Sequence, residues 1–99
     1  MKKTFLLQAP GKADARVRDQ IRHEVNKYIR RERKKPVPEG YDWWAFACRV
    51  GPAADQASPL ELDAVGAAID TLAVQGATSA YIEIQKQPAL RPSPRRAIR

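Results

Sequence analysis

Between Ala13 and Lys35 the chain carries an amphipathic repeat that constrains everything built around it. Val17, Ile21, Val25, Tyr28 and Ile29 recur at helical spacing and form one apolar stripe. Asp14 caps this helix or sits in its first turn, and Arg and Lys crowd its last turn, as the macrodipole favours. Pro36 and Pro38 end it. A helix of roughly 22 residues is ~33 Å long at 1.5 Å per residue, longer than any strand of this chain can cover. Its last turns, Arg30 to Lys35, are therefore expected to project past the core. Glu32 and Lys35 fall on the apolar side of the wheel and can pair at i, i+3. Because an unpaired buried carboxylate is costly, they are taken to mark the point where the helix leaves the core. The alternative is that Glu32 anchors a basic neighbour or the following loop.

The remaining elements are shorter. Lys3 to Gln8 reads as a strand with Phe5 and Leu7 on one face, broken by Ala9, Pro10 and Gly11. Trp43 to Val50 is the most apolar stretch and reads as a second strand, with Trp44, Phe46, Cys48 and Val50 inward and Trp43 outward. Ser58-Pro59-Leu60-Glu61 has the form of a helix start, with Ser58 as N-cap, Pro59 at N1 and Glu61 closing a capping box. That helix is expected to run to about Gln75, with Leu62, Val65, Ile69, Leu72 and Ala73 inward and Gly76 as the C′ residue. Ala80 to Lys86 alternates, placing Ala80, Ile82 and Ile84 inward and Tyr81, Glu83 and Gln85 outward.

The predicted class is α+β in the order β-α-β-α-β, a three-stranded sheet with two helices packed on one face. Right-handed parallel crossovers are the default for such units. Strand order 1-2-3 puts the apolar middle strand at the centre, and order 2-1-3 is the runner-up, with one helix on each face. Residues 1–87 form one domain. Residues 88–99, with three prolines and four arginines, are predicted to be a disordered tail.

Composition removes whole classes of function. One cysteine rules out an internal disulfide and, with one histidine, any zinc or His-cluster centre. Cys48 is expected to be a buried small hydrophobe and His23 a solvent-facing helix residue. No cofactor-binding or catalytic constellation is present, so the chain is not expected to be an enzyme. The apolar run Phe5-Leu6-Leu7 stops at Gln8, too short for a signal peptide, and no stretch approaches a membrane span. The expected compartment is the cytoplasm.

Charge is the one functional signal. The formal net charge is +7, unevenly spread. Residues 1–40 hold twelve Lys/Arg against five Asp/Glu, residues 41–87 two against six, and residues 88–99 four arginines and no acid. Opposite the apolar stripe of the first helix lie Arg16, Gln20, His23, Lys27, Arg30 and Lys34, flanked by Arg31 and Arg33. Such a row can neutralise phosphates along a nucleic-acid strand, while a merely solvated basic face is the plain alternative. Outward Trp43 and Tyr81 can stack bases, or can be covered by a second copy or by the tail.

Further stretches form a recognisable set: Met1-Lys2-Lys3-Thr4-Phe5, Ile21 to Tyr28, Arg31-Arg33-Lys34 leading into Pro38-Glu39-Gly40, Asp42 to Arg49, and Tyr81-Ile82-Glu83-Ile84. Over residues 1–87 they resemble a family of small bacterial domains of unknown function. That family commonly has acidic residues at the sites of Ala45 and Ala47, where this chain departs. The resemblance implies a free-standing bacterial protein and no activity.

From its residues the chain is expected to be a non-enzymatic module contacting RNA or another single-stranded polyanion. Arg16, Lys27, Arg30, Arg31, Arg33 and Lys34 would hold phosphates, and Trp43 or Tyr81 would stack bases. The alternative is a structural or protein-interaction domain, either a homodimer through the open sheet face or a binder of an acidic protein partner.

Overall fold

The computed structural model of the protein describes residues 1–90. Strand β1 (Lys2–Leu6) leads to helix α1 (Asp14–Arg33) and strand β2 (Trp43–Gly51). A short strand β3 (Ser58–Leu60) follows, then helix α2 (Val65–Val74) and the long strand β4 (Ser79–Ala89). The four strands form one sheet in the order β1-β4-β2-β3, with every neighbouring pair antiparallel.

This overturns both expected strand orders, the three-stranded count and the second of the two parallel crossovers. β1 and β2 do run parallel to each other, but β4 is inserted between them, as in a split β-α-β unit. The physical reason lies in burial. Ala80, Ile82 and Ile84 have no exposed surface, whereas Trp44 and Phe46 of β2 are only half-buried. The strand that can fill the middle of the sheet under both helices is the one whose inward residues are small and branched.

Both helices pack on the inward face, as expected. Val17, Ile21, Val25 and Ile29 of α1 and Val65, Ile69 and Leu72 of α2 join Phe5, Leu7, Cys48, Val50, Ala80, Ile82 and Ile84 in one core. Tyr81 and Glu83 lie on the other face with Arg49. That face is more polar than the apolar outward residues suggest, because Arg49 reaches Glu83 at 3.5 Å and the Ala57 carbonyl at 3.1 Å.

The capping-box reading of Ser58 to Glu61 is also overturned. Ser58–Leu60 is an edge strand whose partners are Val50, Arg49 and Cys48. A 3-10 turn over Leu62–Ala64 carries the chain into α2, which has no side-chain N-cap. Pro59 suits an edge strand, since its missing N–H faces away from β2. At the other end the reading holds. Gly76, at φ 81°, ends α2, and the Ala77 N–H bonds the Leu72 carbonyl at 3.0 Å, a Schellman closure.

β4 also takes in Pro88 and Ala89, which the sequence assigned to the tail. The rest of that expectation, for residues 91–99, lies outside the described residues.

Two substitutions test this packing. Ile82→Ala should cost about 2–5 kcal/mol in urea unfolding, since its side chain is wholly enclosed. Gly51→Ala should cost about 1–3 kcal/mol, because a Cβ there would sit 2.6 Å from the Ala57 Cα, backbone that cannot swing aside. A loss under about 0.5 kcal/mol at either site would contradict the packing described.

Candidate functional site

The outer face of α1 is sorted by charge partner. On its flanks the cations are tied down. Arg18 meets Asp70 at 3.2 Å, and Arg22 bonds Asp19 at 3.0 Å and also Asp70, so both arginines clamp α1 to α2. Glu24 is taken by Lys3 from β1 at 2.7 Å. Arg16, Lys27, Arg30 and Lys34 have no carboxylate partner among the described residues, and all four are exposed. They form a ridge about 27 Å long at the helical rise, pointing away from the sheet.

At the C-terminal end of α1 the structure corrects the reading of Glu32. The helix has not left the core there. Glu32 is buried, with 6% of its surface exposed. It sits among Lys35 at 2.9 Å, Lys86 at 3.1 Å and Arg31 at 3.3 Å. The i, i+3 pair with Lys35 forms as expected. The unforeseen partner is Lys86 of β4, whose ammonium also lies 4.2 Å from the centre of the Trp44 ring. The Trp44 indole N–H donates to the Lys35 carbonyl at 2.8 Å, closing the knot on the helix end. Hydrogen bonds from Lys35 and then Lys86 hold the Glu32 carboxyl down at about 2, against the partial opposing effect of burial. The carboxylate is covered by its neighbours' side chains rather than by depth, so its environment is ionic more than apolar. Lys86 had a signal in the sequence: the alternation of β4 puts it on the inward face, where a lysine requires a partner.

A groove of about 630 Å³ opens between α1, the start of α2 and the outer edge of β2. Val25, Ile29, Leu62, Val65 and Ile69 give it an apolar lining. Asn26 and Arg33 stand on one side, Glu61 and Asp63 on the other, and Trp43 and Phe46 flank it along β2. The Arg33 guanidinium lies 5.7 Å from the centre of the Phe46 ring. A smaller cleft of about 380 Å³ adjoins it, lined by Asn26, Ile29, Arg30, Arg33 and Lys34.

The predicted site residues therefore divide. Arg30, Arg33, Lys34 and Trp43 gather around the groove and its adjoining cleft. Arg16 and Lys27 continue the ridge away from it. Arg31 is turned toward Glu32 and packs over Tyr28 at 5.5 Å. Tyr81 is on the opposite face of the sheet, where its hydroxyl donates to Glu83 at 2.9 Å. That hydrogen bond, with burial second, holds the phenol above its ordinary value. Tyr81 and the ridge cannot touch one ligand segment from the same side. Cys48 is buried as expected, and burial, with Glu61 nearby, pushes its thiol up. No helix is long and apolar enough to cross a membrane among the described residues.

One family model matches residues 1–95, that of a family of unknown function (DUF6172). No curated protein and no solved structure matches the chain.

The Glu32 knot makes stability depend on acid. The folded carboxyl titrates at about 2, below its ordinary 4.5, so its contribution is complete above 4.5 and lost as pH falls to about 2. Glu32→Gln should therefore be less stable than the native chain at neutral pH. The gap should close between pH 4.5 and 2 when unfolding midpoints are compared across pH. A gap that is the same at pH 2 and pH 7 would refute the knot.

Proposed function

Since the chain belongs to this family of unknown function, we propose from its own geometry that it is a non-enzymatic module docking single-stranded nucleic acid, RNA foremost, on the outer ridge of α1. One observation carries this reading. Arg18, Arg22, Arg31 and Lys35 each contact a carboxylate, while Arg16, Lys27, Arg30 and Lys34 along the ridge have none among the described residues. Four unpaired cations in a row repel one another and gain from a shared polyanion, which releases its condensed counterions on contact.

The adjoining cleft strengthens the C-terminal end of the ridge. Arg30, Arg33 and Lys34 converge there with the Asn26 amide, a set of donors suited to phosphate oxygens. Trp43, 40% exposed beside the groove, supplies a ring on which a base can stack. Nothing in this arrangement reads base edges, so binding is sequence-tolerant.

Anisotropy of a labelled single-stranded RNA, titrated across a salt series, tests the proposal. Four phosphate contacts give a log–log slope of about −3 for a single strand. Reversing Arg30 and Lys34 to Glu should halve that slope or more and weaken binding at least about tenfold. Salt-independent binding, or an affinity indifferent to the double reversal, would sink it.

A further inference from the structure

The groove and the cleft beside it form one concavity with two chemically different ends. Asn26, Ile29 and Arg33 line both. At the cleft end Arg30 and Lys34 join Arg33, and none of the three has a carboxylate partner among the described residues. At the groove end the floor is the hydrophobic core itself, through Val25, Ile29, Val65 and Ile69. Trp43 and Phe46 add aromatic surface along β2. Arg33 stands at the junction, its guanidinium 5.7 Å from the centre of the Phe46 ring. At about 630 Å³ the groove falls within the roughly 300–1,000 Å³ of sites that take small organic ligands.

Glu61 and Asp63 stand on the far side of the groove, exposed, and neither has a cationic partner among the described residues. A surface that held phosphates alone would lose by carrying two carboxylates at its margin, because like charges repel. An ionised carboxylate accepts hydrogen bonds and donates none, and its two oxygens suit a pair of neighbouring N–H groups. Among the common RNA bases only guanine offers such a pair on its Watson–Crick edge, the N1–H beside the 2-amino group. Adenine and cytosine set a ring-nitrogen acceptor next to their amino group, and uracil flanks its one N–H with two carbonyls. Each of those three would present a lone pair to the carboxylate.

We infer that groove and cleft together hold one guanine nucleotide. Its phosphate lies in the cleft on Arg30, Arg33 and Lys34. Its base lies in the groove against Trp43 and Phe46, with the Watson–Crick edge turned to Glu61 and Asp63. Asn26, which lines both parts, is placed for the ribose between them. The ligand is a guanosine phosphate, either free or carried in a strand. In a strand the inference rests on the ridge reading and deepens it. The ridge holds phosphates whatever the sequence, and the acids across the groove, which take no part in the ridge, select the base at one position.

Two titrations of the full chain read the preference. Calorimetry compares GMP with AMP, CMP and UMP, and anisotropy compares a labelled all-adenine RNA strand with the same strand carrying one central guanine. The guanine ligand should bind at least about tenfold tighter than its counterparts, the discrimination a bidentate contact to a base edge gives. Glu61→Gln combined with Asp63→Asn keeps the side-chain shapes and removes the charge. In that variant the guanine-to-adenine ratio should fall toward one, while the adenine ligand gains affinity as two negative charges leave the margin. A guanine preference in mononucleotides and strands alike assigns the site to the nucleotide itself, and one confined to strands assigns it to a base presented by the ridge. No guanine preference in either titration overturns the inference, as does a preference that survives the double substitution. All-adenine RNA that still binds with the salt slope of the ridge leaves the ridge reading standing when the guanine preference fails. GMP preference without any strand binding does the reverse.

Discussion

The fold depends on β4. It is bonded to β1 on one side and to β2 on the other, and its inward residues Ala80, Ile82 and Ile84 are enclosed completely. Without it β1 and β2 have no neighbour in common, and the two helices have no floor to share. Lys86, two residues beyond Ile84, extends the same inward row into the ionic knot at the end of α1. One strand thus supplies the apolar centre and, where the core thins, the cation that makes a buried carboxylate tolerable.

Much of this was legible in the residues, and the failures have definite causes. The stripe of α1, the alternation of β4 and the glycine end of α2 are local patterns, and the structure reproduces them. Strand order is not local: alternation says which face a side chain takes but not which strand lies beside it. Ser58 to Glu61 satisfies the grammar of a helix start, yet the Val50 and Cys48 edge bonds decide its conformation instead. Glu32 breaks the apolar stripe, and within its own helix that reads as an exit from the core. Its deciding partner, Lys86, lies 54 residues away. The candidate site shows the same division. The ridge was visible from spacing alone. The parting of Tyr81 from it, and the groove between Arg33 and Glu61, follow from the third dimension.

Electrostatics here separates structural from available charge. The pairs that clamp α1 to α2 are partly exposed, and each is worth at most about 1 kcal/mol to stability. Their larger effect is on the surface potential. By consuming Asp19, Glu24 and Asp70 on the flanks, Arg22, Lys3 and Arg18 leave the outer ridge with a single sign. Two acids of the middle of the chain, Glu61 and Asp63, are held at the other side of the groove.

The position of β4 in the chain also governs the order in which the structure can assemble. Lys2 pairs with Glu83, and Trp43 with Ala89. Until the ribosome has delivered that last strand, the first has no partner and the apolar inner faces of both helices lack their sheet. Such long-range pairing raises contact order and slows folding. A nascent chain halted before residue 79 would hold its hydrophobic residues in waiting, the condition under which chaperones engage and misassembly competes.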